Sequence, residues 1–112
     1  MAKYAFFFTY SSDAWKRMIQ VPGDRTAAIR QLLGKLGGSL ESVYWMTGAY
    51  DGLLIADIPD SVGAAALSVS VGSTGAFKTL ETHELFDQNQ LGQILSRSKD
   101  ATASYQPPGQ QS

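Results

Sequence analysis

Hydrophobic residues along this chain arrive in short blocks whose period changes from block to block. Residues 3–10, Lys-Tyr-Ala-Phe-Phe-Phe-Thr-Tyr, are apolar on both parities, which predicts a strand buried on both faces. Ser11-Ser12-Asp13 is turn and N-cap chemistry, and a short helical turn through Trp15 and Ile19 follows until Val21-Pro22-Gly23 interrupts it. Asp24 then opens the main helix, about Arg25 to Leu36, with Ala28, Ile29, Leu32, Leu33 and Leu36 at helical spacing. A second strand is predicted over Leu40 to Thr47, with Leu40, Ser42, Tyr44 and Met46 on one parity and Glu41, Val43, Trp45 and Thr47 on the other.

Gly48-Ala49-Tyr50-Asp51-Gly52 reads as a hairpin turn, and Leu53 to Ile58, nearly all apolar, as a third strand. Pro59-Asp60-Ser61 stops that strand and starts a second helix, roughly Ser61 to Val71. Thr74 to Phe86 reads as a fourth strand, with Phe77, Thr79, Glu81, His83 and Leu85 on one parity. Asp87 to Ser98 has the stripe Leu91, Ile94 and Leu95 of an amphipathic helix, and residues 99–112, ending Pro-Pro-Gly-Gln-Gln-Ser, read as a disordered tail. Residues 1–98 are thus one domain of class α+β, with the β-α-β-β-α-β order of a ferredoxin-like antiparallel sheet.

That order has a consequence for assembly. Both crossover helices cover one face of the sheet, and the first and third strands are apolar on both parities. The second face would be an exposed apolar patch unless something covers it. Packing the bare faces of two copies together is the economical solution, so the expected partner is a second copy in a two-fold homodimer, with a higher oligomer left open.

Composition adds limits. A domain of 112 residues buries about two-thirds of the surface its unfolded chain exposes, so further burial at an interface helps it. Apolar residues make up 44% and charged residues only 17%, in keeping with a covered face. Nine Lys+Arg against ten Asp+Glu give a net charge of -1 without a basic run, so nucleic acid is not an expected partner. With no cysteine and one histidine, disulfides and thiolate chemistry are excluded and no metal or other cofactor is expected. No stretch approaches the roughly 18 apolar residues of a membrane span. Ala5-Phe6-Phe7-Phe8 is too short for a signal peptide, so a cytoplasmic protein is expected.

Candidate chemistry is sparse. His83, the single histidine, shares a parity with Glu81 and Thr79, a carboxylate–imidazole arrangement suited to proton transfer if that face lines a cavity. Its plain alternative is a histidine at the strand's end or at a dimer seam. Tyr44 and Trp45 fall on opposite faces, so one packs on the helices and the other faces the barrel, as a ligand-stacking wall or as dimer core. Tyr50 and Asp51 are first of all turn residues: Gly48 and Gly52 would supply unusual backbone angles, Asp51 would bond nearby amides and Tyr50 would pack at the dimer rim. Their functional reading is the edge of a pocket mouth.

The run Gly37-Gly38-Ser39-Leu40-Glu41-Ser42-Val43-Tyr44-Trp45-Met46-Thr47-Gly48-Ala49-Tyr50-Asp51 resembles the GYD-domain family, named for a Gly-x-Tyr-Asp signature. Trp15 before Asp24-Arg25, Pro59-Asp60, and Gly72 with Gly75 fit the same layout, over about residues 3–86. Thr82-His83-Glu84-Leu85-Phe86 departs from it, where the family more often has a basic or alanine-containing stretch. The resemblance implies a branch of the dimeric α+β barrels, in which two ferredoxin-like sheets pair. It implies no activity of its own, and related barrels that catalyse cofactor-free reactions offer analogy at the level of fold only.

Three functions are therefore carried forward. The first is a dimer that binds a small apolar or aromatic molecule in a barrel cavity. The second is a cofactor-free enzyme using Glu81 and His83 for proton transfer. The third is a structural or interaction protein with a filled barrel.

Overall fold

In the computed structural model, which describes residues 1–110, the apolar run near the N-terminus becomes β1 (Ala2–Tyr10) at the middle of a four-stranded sheet. Two helices follow, α1 (Ser12–Gln20) and α2 (Arg25–Lys35). Next come β2 (Ser39–Trp45), β3 (Gly52–Ile58), α3 (Ser61–Gly72), β4 (Phe77–Leu85) and α4 (Gln88–Ser104). The strand order is β2-β3-β1-β4 and every neighbouring pair is antiparallel. This is the ferredoxin-like α+β arrangement.

Each helix start has a side-chain cap. Ser11 Oγ accepts from the Ala14 amide, Asp24 Oδ1 from Ala27 and Asp60 Oδ1 from Gly63. Asp87 and Gln90 form a reciprocal capping box at α4. α1 is a full helix rather than the short turn expected, and Ala14 and Met18 carry it onto the core. α4 runs to Ser104, through the first part of the stretch expected to be a disordered tail. Ala101 and Ala103 are strong helix formers, and nothing before Pro107 breaks the helix. Gln111 and Ser112 of that expected tail lie outside the described residues.

The core lies between one sheet face and the helices. Tyr4, Phe6, Phe8 and Tyr10 of β1, with Leu54, Ala56 and Ile58 of β3, form the buried floor, closed by Leu33 of α2 and Ala64 and Leu67 of α3. α2 packs on β2, and α3 on β3 and β4.

Simple alternation fails at two irregularities. In the pairing of β2 with β3, Leu40 faces Ala56 and Ser42 faces Ile55, so Glu41 is the extra residue of a bulge. Leu40 therefore shares the helix side with Val43 and Trp45, not with Ser42 and Tyr44. In β4, Tyr10 pairs with Phe77 and Thr9 with Thr79, which leaves Lys78 extra. Phe77 accordingly turns away from Thr79, Glu81 and His83 to stack on Tyr10, ring centroids 5.2 Å apart. In each case burying one more large apolar side chain offsets the interrupted ladder.

Candidate functional site

The second face of the sheet carries no helix. It presents Lys3, Ala5, Phe7 and Thr9 from β1, Tyr44 from β2, Leu53, Ile55 and Asp57 from β3, and Thr79, Glu81, His83 and Leu85 from β4. The pattern along this face is graded. One end is charged: Lys3 Nζ sits 2.7 Å from Glu41 Oε2 and 3.3 Å from Asp57 Oδ1. The hydrogen bond to Glu41 raises the ammonium pKa above its ordinary value, with Asp57 adding to it. The other end is polar, with the Thr9 and Thr79 hydroxyls 2.6 Å apart. The centre is apolar.

A depression of about 620 Å³ lies over that centre, walled by Ala5, Phe7, Leu53, Ile55 and Leu85, with Tyr50, Glu81 and His83 at one corner and Glu84 also in its lining. The corner is built from two distant parts of the chain. The Tyr50 hydroxyl, on the loop between β2 and β3, donates to Glu81 Oε2, and His83 Nε2 lies 3.3 Å from Glu81 Oε1. The Phe7 ring packs against both, 5.3 Å from the Tyr50 ring and edge-on to His83 at 5.6 Å. One carboxylate thus joins a phenol and an imidazole above an aromatic ring.

The structure brings together three of the seven predicted site residues, Tyr50, Glu81 and His83. Tyr44 is on the same face but 67% exposed, and Thr79 is held by Thr9. Trp45 and Asp51 lie elsewhere. Trp45 turns to the helix side, where its indole N–H donates to the Tyr10 hydroxyl at 3.1 Å. Asp51 Oδ2 accepts from the Tyr10 amide at 2.9 Å and from the Trp15 indole at 3.2 Å. Its own amide donates to the Phe8 carbonyl at 2.9 Å. Asp51 is therefore a clasp joining turn, β1 and α1. Phe7, Leu53 and Ile55, the walls of the depression, were not singled out from the sequence. Alternation within Phe6-Phe7-Phe8 is the signal that separates Phe7 from its neighbours.

A family model described as GYD domain matches residues 4–95. The chain belongs to the GYD-domain family. No curated protein sequence matches it. Among solved structures, one titled "crystal structure of FFRP-DM1" aligns with a TM-score of 0.48 at 10% identity, over 77% of this chain and 100% of that one.

In this GYD domain the signature residues have separate tasks. Gly48 holds φ at 111°, in the region that side chains avoid. Tyr50 reaches the candidate site and Asp51 clasps the core. Gly52, expected to need an unusual backbone angle, has none; it gives up a side chain for space, because a Cβ there would lie 2.2 Å from Phe8 Cζ.

Among the described residues no helix is long and apolar enough to cross a membrane, and no group of three or more metal-ligating side chains is disposed to hold an ion.

Proposed function

We propose that this GYD-domain protein is a two-fold dimer that binds a small apolar or aromatic molecule over the helix-free face of its sheet. The observation that carries this reading is the depression over Phe7, Leu53 and Ile55, whose few polar groups are the Tyr50-Glu81-His83 cluster and Glu84. Pockets for small molecules have this character, mostly apolar with a few convergent polar groups that fix orientation. An apolar centre framed by the Lys3–Glu41–Asp57 cluster and the Thr9–Thr79 pair also has the core-and-rim anatomy of a protein interface. A second copy laid on this face roofs the depression into a chamber. The favoured ligand is a flat ring or short hydrocarbon bearing one carbonyl or hydroxyl for the polar corner.

A second reading is favoured by one contact, that of His83 Nε2 with Glu81 Oε1. In it the carboxylate orients the imidazole, which moves a proton on a bound carbonyl compound.

Sedimentation velocity and a ligand screen test the proposal together. The wild-type chain sediments as a dimer, and Leu53→Glu, which places a charge at the centre of the face, makes it a monomer. Aromatic carbonyl compounds raise the melting temperature of the wild-type dimer, and Tyr50→Phe with His83→Ala weakens them without dissociating it. A wild-type monomer, or ligand binding indifferent to both substitutions, defeats the reading. Turnover of a bound compound that is lost in His83→Ala selects the enzyme over the binder.

A further inference from the structure

The helix-covered side of the sheet contains a second cavity, of about 590 Å³. Its origin is the divergence of the two main helices. α2 leans on β2 and α3 on β3 and β4, so a cleft opens between them above the central strands. Phe6, Phe8 and Leu54 form its floor and Leu32, Leu67 and Val71 its sides. α1 adds Met18 to the lining. The two charged side chains that line the cavity are Arg17, in the last turn of α1, and Arg25, the first residue of α2. Both are exposed, and neither is paired with a carboxylate among the described residues. No aspartate or glutamate lines the cleft among those residues.

The geometry points to a binding site for an amphipathic carboxylate, with the hydrocarbon or aryl body in the cleft and the carboxylate at Arg17 and Arg25. The volume falls within the range of pockets for small ligands. The apolar walls reward burial of a hydrocarbon body, at roughly 25 cal/mol for each Å² removed from water. Two guanidinium groups with free donors select an anion, and their planar fork suits a carboxylate. This site lies on the opposite side of the sheet from Tyr50, Glu81 and His83, so it stands or falls independently of the function proposed above.

Decanoate is the test ligand, with decan-1-ol as its uncharged counterpart, measured by titration calorimetry on the full chain. Decanoate is expected to bind, and decan-1-ol to bind at least about tenfold more weakly, since a charge-assisted hydrogen bond contributes about that factor. Arg17→Gln combined with Arg25→Gln, both at exposed positions that leave the core intact, removes the preference and brings decanoate to the level of the alcohol. Ala28→Phe, which fills the cleft, abolishes both. Tyr50→Phe and His83→Ala leave decanoate affinity unchanged. The inference is overturned if decanoate does not bind, if the double arginine substitution leaves its affinity unaltered, or if the Tyr50 and His83 substitutions weaken it. It is also overturned if Leu91→Gln with Ile94→Gln dissociates an oligomer and strengthens decanoate binding, since the occupant of the cleft would then be α4 of another copy.

Discussion

Replacing Gly52 with alanine adds one carbon where the structure has no room for it. Gly52 of β3 is the direct cross-strand partner of Phe8 in β1, and the Phe8 ring lies over it. A Cβ at position 52 would sit 2.2 Å from Cζ, 2.5 Å from Cε2 and 2.9 Å from Cε1 of that ring. The ring is hemmed in by neighbouring rings, and its one open side faces the cleft between α2 and α3. It is 3% exposed, with the Tyr10 and Phe77 rings at 5.4 and 5.7 Å, both edge-on. Forcing extra volume into a packed core costs about 1–3 kcal/mol. Because Gly52 lies outside the left-handed region, alanine adopts its backbone angles and recovers about 0.4–1 kcal/mol through a less disordered unfolded chain. At the mid-points of these ranges the net loss is about 1.3 kcal/mol, or a fall in melting temperature of roughly 4–10 °C for a domain of this size. Thermal and urea unfolding followed by circular dichroism measure it. Phe8→Leu removes the ring atoms that clash, so Gly52→Ala costs about 1 kcal/mol less in that background than in the wild type. Gly48→Ala serves as the contrast. Nothing lies within 4 Å of its Cβ, but φ is 111°, so its cost of about 1–2 kcal/mol is conformational and Phe8→Leu does not relieve it. A Gly52→Ala chain as stable as the wild type, or one whose cost is the same in both Phe8 backgrounds, refutes the steric explanation of this glycine.

Four further outcomes are expected. Asp51→Ala leaves the Tyr10 amide and the Trp15 indole without their acceptor, costs about 1–3 kcal/mol in urea unfolding, and shifts the fluorescence of Trp15. Burial raises the Tyr4 phenol above its ordinary pKa of 10.0, with Glu84 and Asp60 adding to the effect. The stability linked to this group is therefore complete below that pH and is lost as pH rises through the native value. Phenolate absorbance should show a late-titrating tyrosine, absent from Tyr4→Phe, whose alkaline unfolding limb is correspondingly shallower. Asp24→Ala removes the cap of a helix that packs on β2 and costs about 1 kcal/mol in thermal unfolding. Asp87→Ala removes the cap of α4, which buries no residue, and lowers helical ellipticity without moving the midpoint of core unfolding.

Element order was legible because the punctuation is strong. Asp24, Pro59-Asp60 and the Gly48–Gly52 turn mark starts and stops whatever the tertiary context. Side-chain direction was legible only where alternation is unbroken. It placed Glu81 and His83 on one face and Tyr44 opposite Trp45, as the structure has them. It misplaced Leu40 and Phe77, each separated from its neighbours by one bulged residue, Glu41 or Lys78. Neither bulged residue announces itself, since a charged side chain at a strand's solvent side reads the same with or without a bulge. The task of Asp51 was half legible. Its type predicts that it bonds amides, but its partners lie 41 and 36 positions away and come together only when the turn docks on β1 and α1.

The same limit explains why the run Ala5-Phe6-Phe7-Phe8 says less as a sequence than as a strand. Apolar on both parities, it predicts a strand with two apolar faces and says nothing about what covers either. In the sheet its parities separate into two surfaces. Phe6 and Phe8 floor the cleft beneath α2 and α3, while Phe7, between them, forms the wall against which Tyr50 and His83 rest. A strand at the middle of the sheet, with neighbours on both edges, supplies the apolar base of both cavities at once. The polar groups that line each cavity come from other elements: Tyr50 from a loop and Glu81 and His83 from β4 on one side, Arg17 and Arg25 from two helix ends on the other. The strand thus provides apolar surface common to both cavities, and under the two proposals above chemical choice would rest with residues on the periphery, where substitution alters recognition without dismantling the core.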